Sequence, residues 1–244
     1  MSNKKIAFIT GANKGIGKET ARQLGKLGYT VLLGSRSVAN GQAAVDELKA
    51  EQIDAHLVEI DVNDEASIRR AAGQVVERFG HVDALINNAG VALDFGVKAS
   101  EASLEVWRKT FEANLFGLVS TTQAFLPLVR KSPAGRVVNL SSILGSLALV
   151  SDPSSPIGGW SGTGAAYGAS KAAVNMFTAH LARELAGTSI KVNAAHPGWV
   201  KTELGGEGAM MEIVDGAKTS VALATLGADG PSGQYIHLGE RLPW

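Results

Sequence analysis

Short apolar runs alternate with longer amphipathic stretches along the whole 244-residue chain. Runs of β-favouring residues at 5–10, 29–33, 55–60, 82–86, 136–140, 190–194 and 234–237 predict about seven strands. Between them, apolar residues recurring at helical spacing predict helices over 16–27, 41–50, 65–79, 104–129, 166–185 and 212–226. Gly28 and Gly80 stand where two of these helices stop, and Gly34 marks the end of the second strand. The strands are apolar with little alternation, as strands covered on both faces must be. Strand–helix–strand order with right-handed crossovers then gives an α/β fold built on a doubly wound parallel sheet.

One segment breaks the rhythm. Residues 143–166 are rich in Gly, Ser and Pro, including Asp152-Pro153-Ser154-Ser155-Pro156 and Gly158-Gly159-Trp160-Ser161-Gly162. That is too long for a plain connection, and long loops in compact domains tend to carry function or mobility. There is no repeat of solenoid period and no linker, so residues 1–244 read as a single domain with a loop insertion.

Composition narrows the function. Twenty-three basic and 23 acidic residues leave a formal net charge of zero, so no basic excess exists to drive binding to nucleic acid or an anionic membrane, and neither is expected as a partner. The absence of cysteine excludes disulfides, thiolate catalysis and cysteine-based metal sites. Met1-Ser2-Asn3-Lys4-Lys5 leads straight into the first strand, without the pattern of a signal peptide. No apolar run approaches the ~20 residues that span a bilayer, and a cytoplasmic protein is the expectation. The five histidines lack metal-ligand spacing, so no metal is expected. His56, His81, His180 and His237 read as surface or packing residues; His196 borders a Pro-Gly turn and is either packing or close to a ligand.

The candidate chemistry lies at strand ends. Thr10-Gly11-Ala12-Asn13-Lys14-Gly15-Ile16-Gly17 joins the first strand to the first helix. Glycines there let a pyrophosphate approach the helix N-terminus, whose free N–H groups and dipole favour anions, as in a Rossmann-type dinucleotide site. The spacing is G-x-x-x-G-x-G rather than G-x-G-x-x-G. After the second strand, Ser35 and Arg36 occupy the place where an acidic residue would bind ribose hydroxyls. Arg36, with Lys14, suits a 2′-phosphate and so NADP. Asp61-Val62 and Asn87-Asn88-Ala89-Gly90 follow the third and fourth strands; Asp61 either binds the cofactor or caps the next helix. Ser141-Ser142 follows the fifth strand, and Asn114 lies on the preceding helix. Tyr167 and Lys171 are four residues apart, hence one turn apart on one helix face. A nearby ammonium favours a phenolate, which predicts a lowered Tyr167 pKa.

Together T-G-x-x-x-G-I-G, N-N-A-G, V-N-L-S-S, Y-x-x-x-K and the P-G-x-V-x-T of Pro197 to Thr202 resemble the short-chain dehydrogenase/reductase family over nearly the whole chain. Within it the likeness is to the NADPH-dependent carbonyl reductases, carried by Asn13 to Gly17, Gly41-Gln42-Ala43-Ala44-Val45, Pro197 to Thr202 and Pro243-Trp244. The resemblance implies a small-molecule ketone or aldehyde as substrate and reduction to the alcohol. Oxidation of an alcohol and a non-catalytic NADP(H) sensor are the alternatives. It implies that Tyr167 donates the proton, Ser142 holds the carbonyl oxygen, and Lys171 binds the nicotinamide ribose and lowers the Tyr167 pKa. Asn114 would hold a water beside Lys171. The cofactor would lie on Gly11, Asn13, Lys14, Gly15, Ile16, Gly17, Arg36, Asp61, Val62, Asn88, Ala89, Gly90, Tyr167, Lys171, Pro197, Gly198, Val200 and Thr202. Residues 203–211 carry three glycines beside Met210 and Met211 and read as a substrate lid. Monomer and homo-oligomer both stay open.

Overall fold

The computed structural model describes residues 4–160 and 162–244; Met1 to Asn3 and Ser161 of the insertion lie outside them. The strands are β1 (Ile6–Ile9), β2 (Thr30–Ser35), β3 (Ala55–Glu59), β4 (Ala84–Asn87), β5 (Arg136–Leu140), β6 (Lys191–Ala195), β7 (Tyr235–His237) and β8 (Glu240–Arg241). They form one sheet in the order β3-β2-β1-β4-β5-β6-β7-β8, parallel from β3 to β7, with β8 antiparallel at the edge. The eighth strand departs from the expected seven. Its two exposed residues are too few for any sequence period to show.

The helices are α1 (Gly15–Lys26), α2 (Val38–Ala50), α3 (Glu65–Phe79), α4 (Leu104–Phe111), α5 (Gly117–Val129), α6 (Leu147–Val150), α7 (Ala165–Glu184) and α8 (Ile213–Ala224). Each buried strand feeds two cores. Ala7, Ile9, Val31, Leu33, Ala84 and Ile86 pack under α1, α2 and α8. Phe8, Leu32, Leu85 and Val137 pack under α3, α5 and α7, where Phe8 stacks on Phe125 with ring centroids 4.3 Å apart. This two-sided burial is why the strands lack polar alternation.

Local chemistry explains several boundaries. Ser37 accepts the Asn40 N–H, so α2 starts at Val38, three residues before the expected start at 41. Gly34 does not end the second strand; it lies inside β2, where its carbonyl accepts the Ala12 N–H at 3.0 Å. A side chain there would press on Ile60 and the Ile9 carbonyl. The helix expected over 104–129 is broken by a π-helical turn at Glu112–Phe116, closed by the Gly117 N–H donating to the Glu112 carbonyl. Hydrophobic periodicity runs through this wide turn unchanged, so the sequence conceals it.

The strand order reverses direction between β1 and β4, the place where such sheets open a ligand crevice. Register brings the C-terminal strand ends level: Ile9 lies beside Leu33 and Ile86, Asn87 beside Asn139, and Leu140 beside Ala195. The loops that follow β1, β2, β4, β5 and β6, with the motifs they carry, therefore leave the sheet along one edge. Beneath that edge, Asn87 donates to Thr122 and Asn139, and Asn139 donates to Thr178, at 2.8–2.9 Å. These buried bonds tie β4 and β5 to α5 and α7.

Candidate active site

Three glycines shape the first half of the crevice. A Cβ on Gly17 would lie 2.5 Å from the Asn88 amide nitrogen and 2.6 Å from the Gly11 carbonyl, so this turn of α1 packs too closely for any side chain. Gly11 and Gly15 have φ of +62° and +57°, where glycine alone is unstrained. Thr10 holds the facing loop: its hydroxyl accepts the N–H groups of Asn88 and Ala89, and the Asn88 side chain donates back to the Thr10 and Gly11 carbonyls.

The cradle suits an anion. The N-cap of α1 is Lys14, which provides no side-chain cap, and the first turn holds no acidic residue. The free N–H groups of α1 are therefore unmatched by any carboxylate of their own helix. Arg36 is exposed at the end of β2, and no carboxylate pairs with it among the described residues. Lys14 pairs instead with Glu203 of the 203–211 loop. A dinucleotide with a 2′-phosphate fits this donor set, with the pyrophosphate at the α1 N-terminus and Arg36 free for the extra phosphate.

Asp61 and Val62 stand half-buried after β3. The alternative that Asp61 caps the next helix is overturned, because Asp64 is the cap of α3 and accepts the Ala66 N–H at 2.8 Å. Asp61 turns its own loop by accepting the Asn63 N–H.

Tyr167, Ser142, Lys171 and Asn114 come together in the second half. Tyr167 and Lys171 lie on the first turns of α7, both buried, with the Lys171 ammonium 5.7 Å from the Tyr167 ring centroid. The Ser142 hydroxyl lies within reach of the Tyr167 phenol. Ser141 points the other way, towards the Lys171 carbonyl at 3.4 Å. Geometry thus separates the two serines. The π-helical turn aims Asn114 inward, where it accepts the Val91 N–H and donates to the Val91 carbonyl and the Ser170 hydroxyl. Gly90 leaves room for this: a Cβ there would lie 3.1 Å from the Asn114 carbonyl oxygen and 3.5 Å from the Lys171 ammonium.

The electrostatics correct one expectation. Burial pushes the Tyr167 phenol up to about 12, and the nearby Ser142 hydroxyl only partly offsets this. Burial pulls Lys171 down to about 8. The expected lowering of Tyr167 by Lys171 is absent because desolvation dominates. The Lys171 ammonium donates to the Leu140 carbonyl at 2.9 Å and lies 5.7 Å from the Tyr167 ring centroid.

His196 occupies the joint between two loops. Its Nδ1 accepts the N–H of Ile143 at 3.3 Å and of Gly198 at 3.4 Å. It therefore links the serine loop to the Pro197–Thr202 turn as a neutral imidazole. Burial, then the neighbouring His237, lowers its pKa to about 3. No group of three or more His, Cys, Asp or Glu residues placed to hold a metal occurs among the described residues.

Val200 is buried against α8, while Thr202 approaches Gly15, linking the Pro-Gly turn to the glycine loop. The following loop leaves and returns through a narrow neck, where Lys201 donates to Met211 and Met211 to Trp199. Leu204 and Met210 are exposed on it, as is Trp199 in the turn before it. The insertion is more ordered than its composition suggests. It contains a 3-10 turn (Ile143–Gly145) and α6, and is tied down by Ser146 donating to Pro243 and Ala148 to Trp244. Trp107 stacks on Phe111 within α4 as a packing residue. Thr10 and Ser170 fall inside the sequence motifs, but their long-range partners, Asn88 and Ala89 for Thr10 and Asn114 for Ser170, do not show in the sequence; nor do the Ala166 and Tyr167 N–H groups that Asp94 accepts.

The chain matches the family model described as short chain dehydrogenase over residues 5–212. Mouse carbonyl reductase [NADPH] 1 is 33% identical, with 100% of this chain and 99% of that protein covered. Short-chain dehydrogenase anuI of Penicillium roqueforti is 37% identical over 92% and 90% of the two chains. The NADPH-bound carbonyl reductase from chicken fatty liver superposes with a TM-score of 0.86 at 26% identity, covering 99% of this chain and 100% of that one. The chain belongs to the short-chain dehydrogenase family, on a Rossmann-type fold.

Proposed function

We propose that this chain is an NADPH-dependent carbonyl reductase that converts a ketone or aldehyde of apolar character to its alcohol. One observation carries the reading: a buried phenol, Tyr167, lies in reach of the Ser142 hydroxyl with the Lys171 ammonium 5.7 Å from its ring centroid, on the side of the sheet that also holds the glycine cradle. The names of the mouse and chicken relatives support the same cofactor and reaction. NADPH, when bound, supplies the hydride.

The residues divide the remaining work. Gly11, Asn13, Gly15, Ile16 and Gly17 receive the pyrophosphate, and Arg36 the 2′-phosphate, joined by Lys14 once it leaves Glu203. Asp61 and Val62 border the adenine end. Asn88, Ala89, Gly90, Pro197, Gly198, Val200 and Thr202 place the nicotinamide end. Ser142 donates to the substrate carbonyl oxygen and fixes its position. Tyr167 gives that oxygen its proton as charge develops there; a proton kept on the phenol by burial suits a donor, not a base. Lys171 holds the ribose and presents positive charge beside the phenol. Asn114 holds a water that joins Lys171 to solvent. The 203–211 loop closes over substrate with Leu204 and Met210, and Phe95, which meets both Tyr167 and Trp160, walls the pocket with Trp160.

Described residues include no helix long and apolar enough to cross a membrane. Purified protein assayed with NADPH and with NADH against aromatic ketones, ketoesters and diketones tests the proposal. NADPH-dependent turnover of one of these supports it. Tight NADPH binding without turnover of any favours a sensor.

A further inference from the structure

Asp94 lies in the loop between β4 and α4 and is fully buried. The two other buried carboxylates have side-chain partners with basic nitrogens, Glu19 with Arg22 and Asp83 with His81. Asp94 instead faces the start of α7. Its carboxylate accepts the backbone N–H of Ala166 at 2.7 Å and of Tyr167 at 3.3 Å, and its carbonyl accepts the N–H of Gly164 at 3.1 Å.

That end of α7 has no cap of its own. Gly164 stands at the N-cap in the left-handed region, with φ of +77°, and the first turn contains no acidic residue. Three N–H groups at this end, with the positive pole of a 20-residue helix, are matched from a loop about 70 residues upstream. Phe95, next in the chain, completes the joint. A Cβ on Gly164 would lie 2.9 Å from its ring, and the ring meets Tyr167 edge-on with centroids 5.2 Å apart. Tyr167 is in the first turn of α7, the part of a helix that frays most readily.

We propose that Asp94 is a positioning residue for Tyr167, holding the phenol in register with Ser142 through the backbone of the first helical turn; this rests on the reductase reading above. The carboxylate takes no part in the chemistry. It fixes the backbone nitrogen of the proton donor and keeps Phe95 against its ring.

The test compares the parent chain with Asp94→Asn, which keeps one accepting oxygen, and Asp94→Ala, which keeps none. For Asp94→Ala, kcat falls roughly ten- to a hundredfold, as expected for a misplaced catalytic group. The NADPH dissociation constant stays within about twofold, because the glycine loop and Arg36, which receive the cofactor's phosphates, are untouched. The solvent deuterium isotope effect on kcat rises as proton transfer becomes slower. Asp94→Asn lies between, and amide exchange at Ala166 and Tyr167 quickens in both. A kcat within about twofold of the parent, measured well below the midpoint of unfolding, overturns the proposal even if the melting temperature falls. If Asp94→Ala fails to fold, Asp94→Asn decides by the same criteria. If the parent turns over no carbonyl, the reductase reading fails separately; amide exchange then decides, and unchanged exchange at Ala166 and Tyr167 overturns the anchoring.

Discussion

The Lys171 ammonium donates to the Leu140 carbonyl at the end of β5, 2.9 Å away, and not to the Tyr167 hydroxyl. The lysine is buried, with its ammonium 5.7 Å from the Tyr167 ring centroid. The same burial that pulls Lys171 down to about 8 pushes Tyr167 up to about 12.

Activity should therefore depend on pH through Lys171. Above about 8 the free enzyme loses the ammonium, so kcat/KM for NADPH falls as pH rises through that value. A profile that stays flat from about pH 7 to about pH 9 contradicts this assignment. Stability moves the opposite way. Between about 8 and its ordinary 10.5, Lys171 is protonated in the unfolded chain and neutral in the folded one, so its contribution to stability rises with pH across that window.

Arg36→Asp should reverse the cofactor preference. Loss of a charged hydrogen bond to the 2′-phosphate weakens NADPH by about 1.5–3 kcal/mol, roughly ten- to a hundredfold. NADH binding holds or improves, since an acidic residue at this strand end suits ribose hydroxyls. Fluorescence titration of both cofactors is the check, and equal weakening of the two rules out the phosphate grip.

His196 should make the fold acid-sensitive. It is neutral in the folded chain down to about 3 but titrates near 6.5 when unfolded. Its contribution is complete above 6.5 and is lost as pH falls towards 3, with a slope of up to about 1.4 kcal/mol per pH unit. His196→Asn removes this titration, so its stability falls less steeply below pH 6.5 in urea unfolding series. Parallel curves for the two proteins would contradict it.

Gly17→Ala should damage the cradle itself. The added Cβ meets the Gly11 carbonyl at 2.6 Å, where only backbone can give way. Overpacking of this kind costs about 1–3 kcal/mol, visible as a lower melting temperature together with weaker NADPH binding. Gly73→Ala is the control, because a Cβ at that position meets nothing within 4 Å.

Features carried by short segments were legible in the sequence. The glycine loop, Asn88 to Gly90, Ser142 and the Tyr167–Lys171 spacing each occupy a few consecutive residues, and strand–helix alternation places them on one edge. Features made by long-range partners were not. The partners of Asp94, the Ala166 and Tyr167 N–H groups, lie 72 and 73 residues further along the chain. His196 borders a turn, but its partner Ile143 lies 53 residues away. The π-helical turn under Asn114 adds no break in periodicity. The direction of the Tyr167 shift also escaped, because spacing reveals the neighbouring charge and hides the depth of burial.

Tyr167→Phe removes one oxygen from the centre of this arrangement, and its kcat at saturating NADPH tests the account most directly. Loss of the proton donor predicts a fall of about 10²- to 10⁴-fold on a carbonyl that the parent reduces, with NADPH still bound. A variant that reduces the same carbonyl at the parent rate would contradict the assigned chemistry.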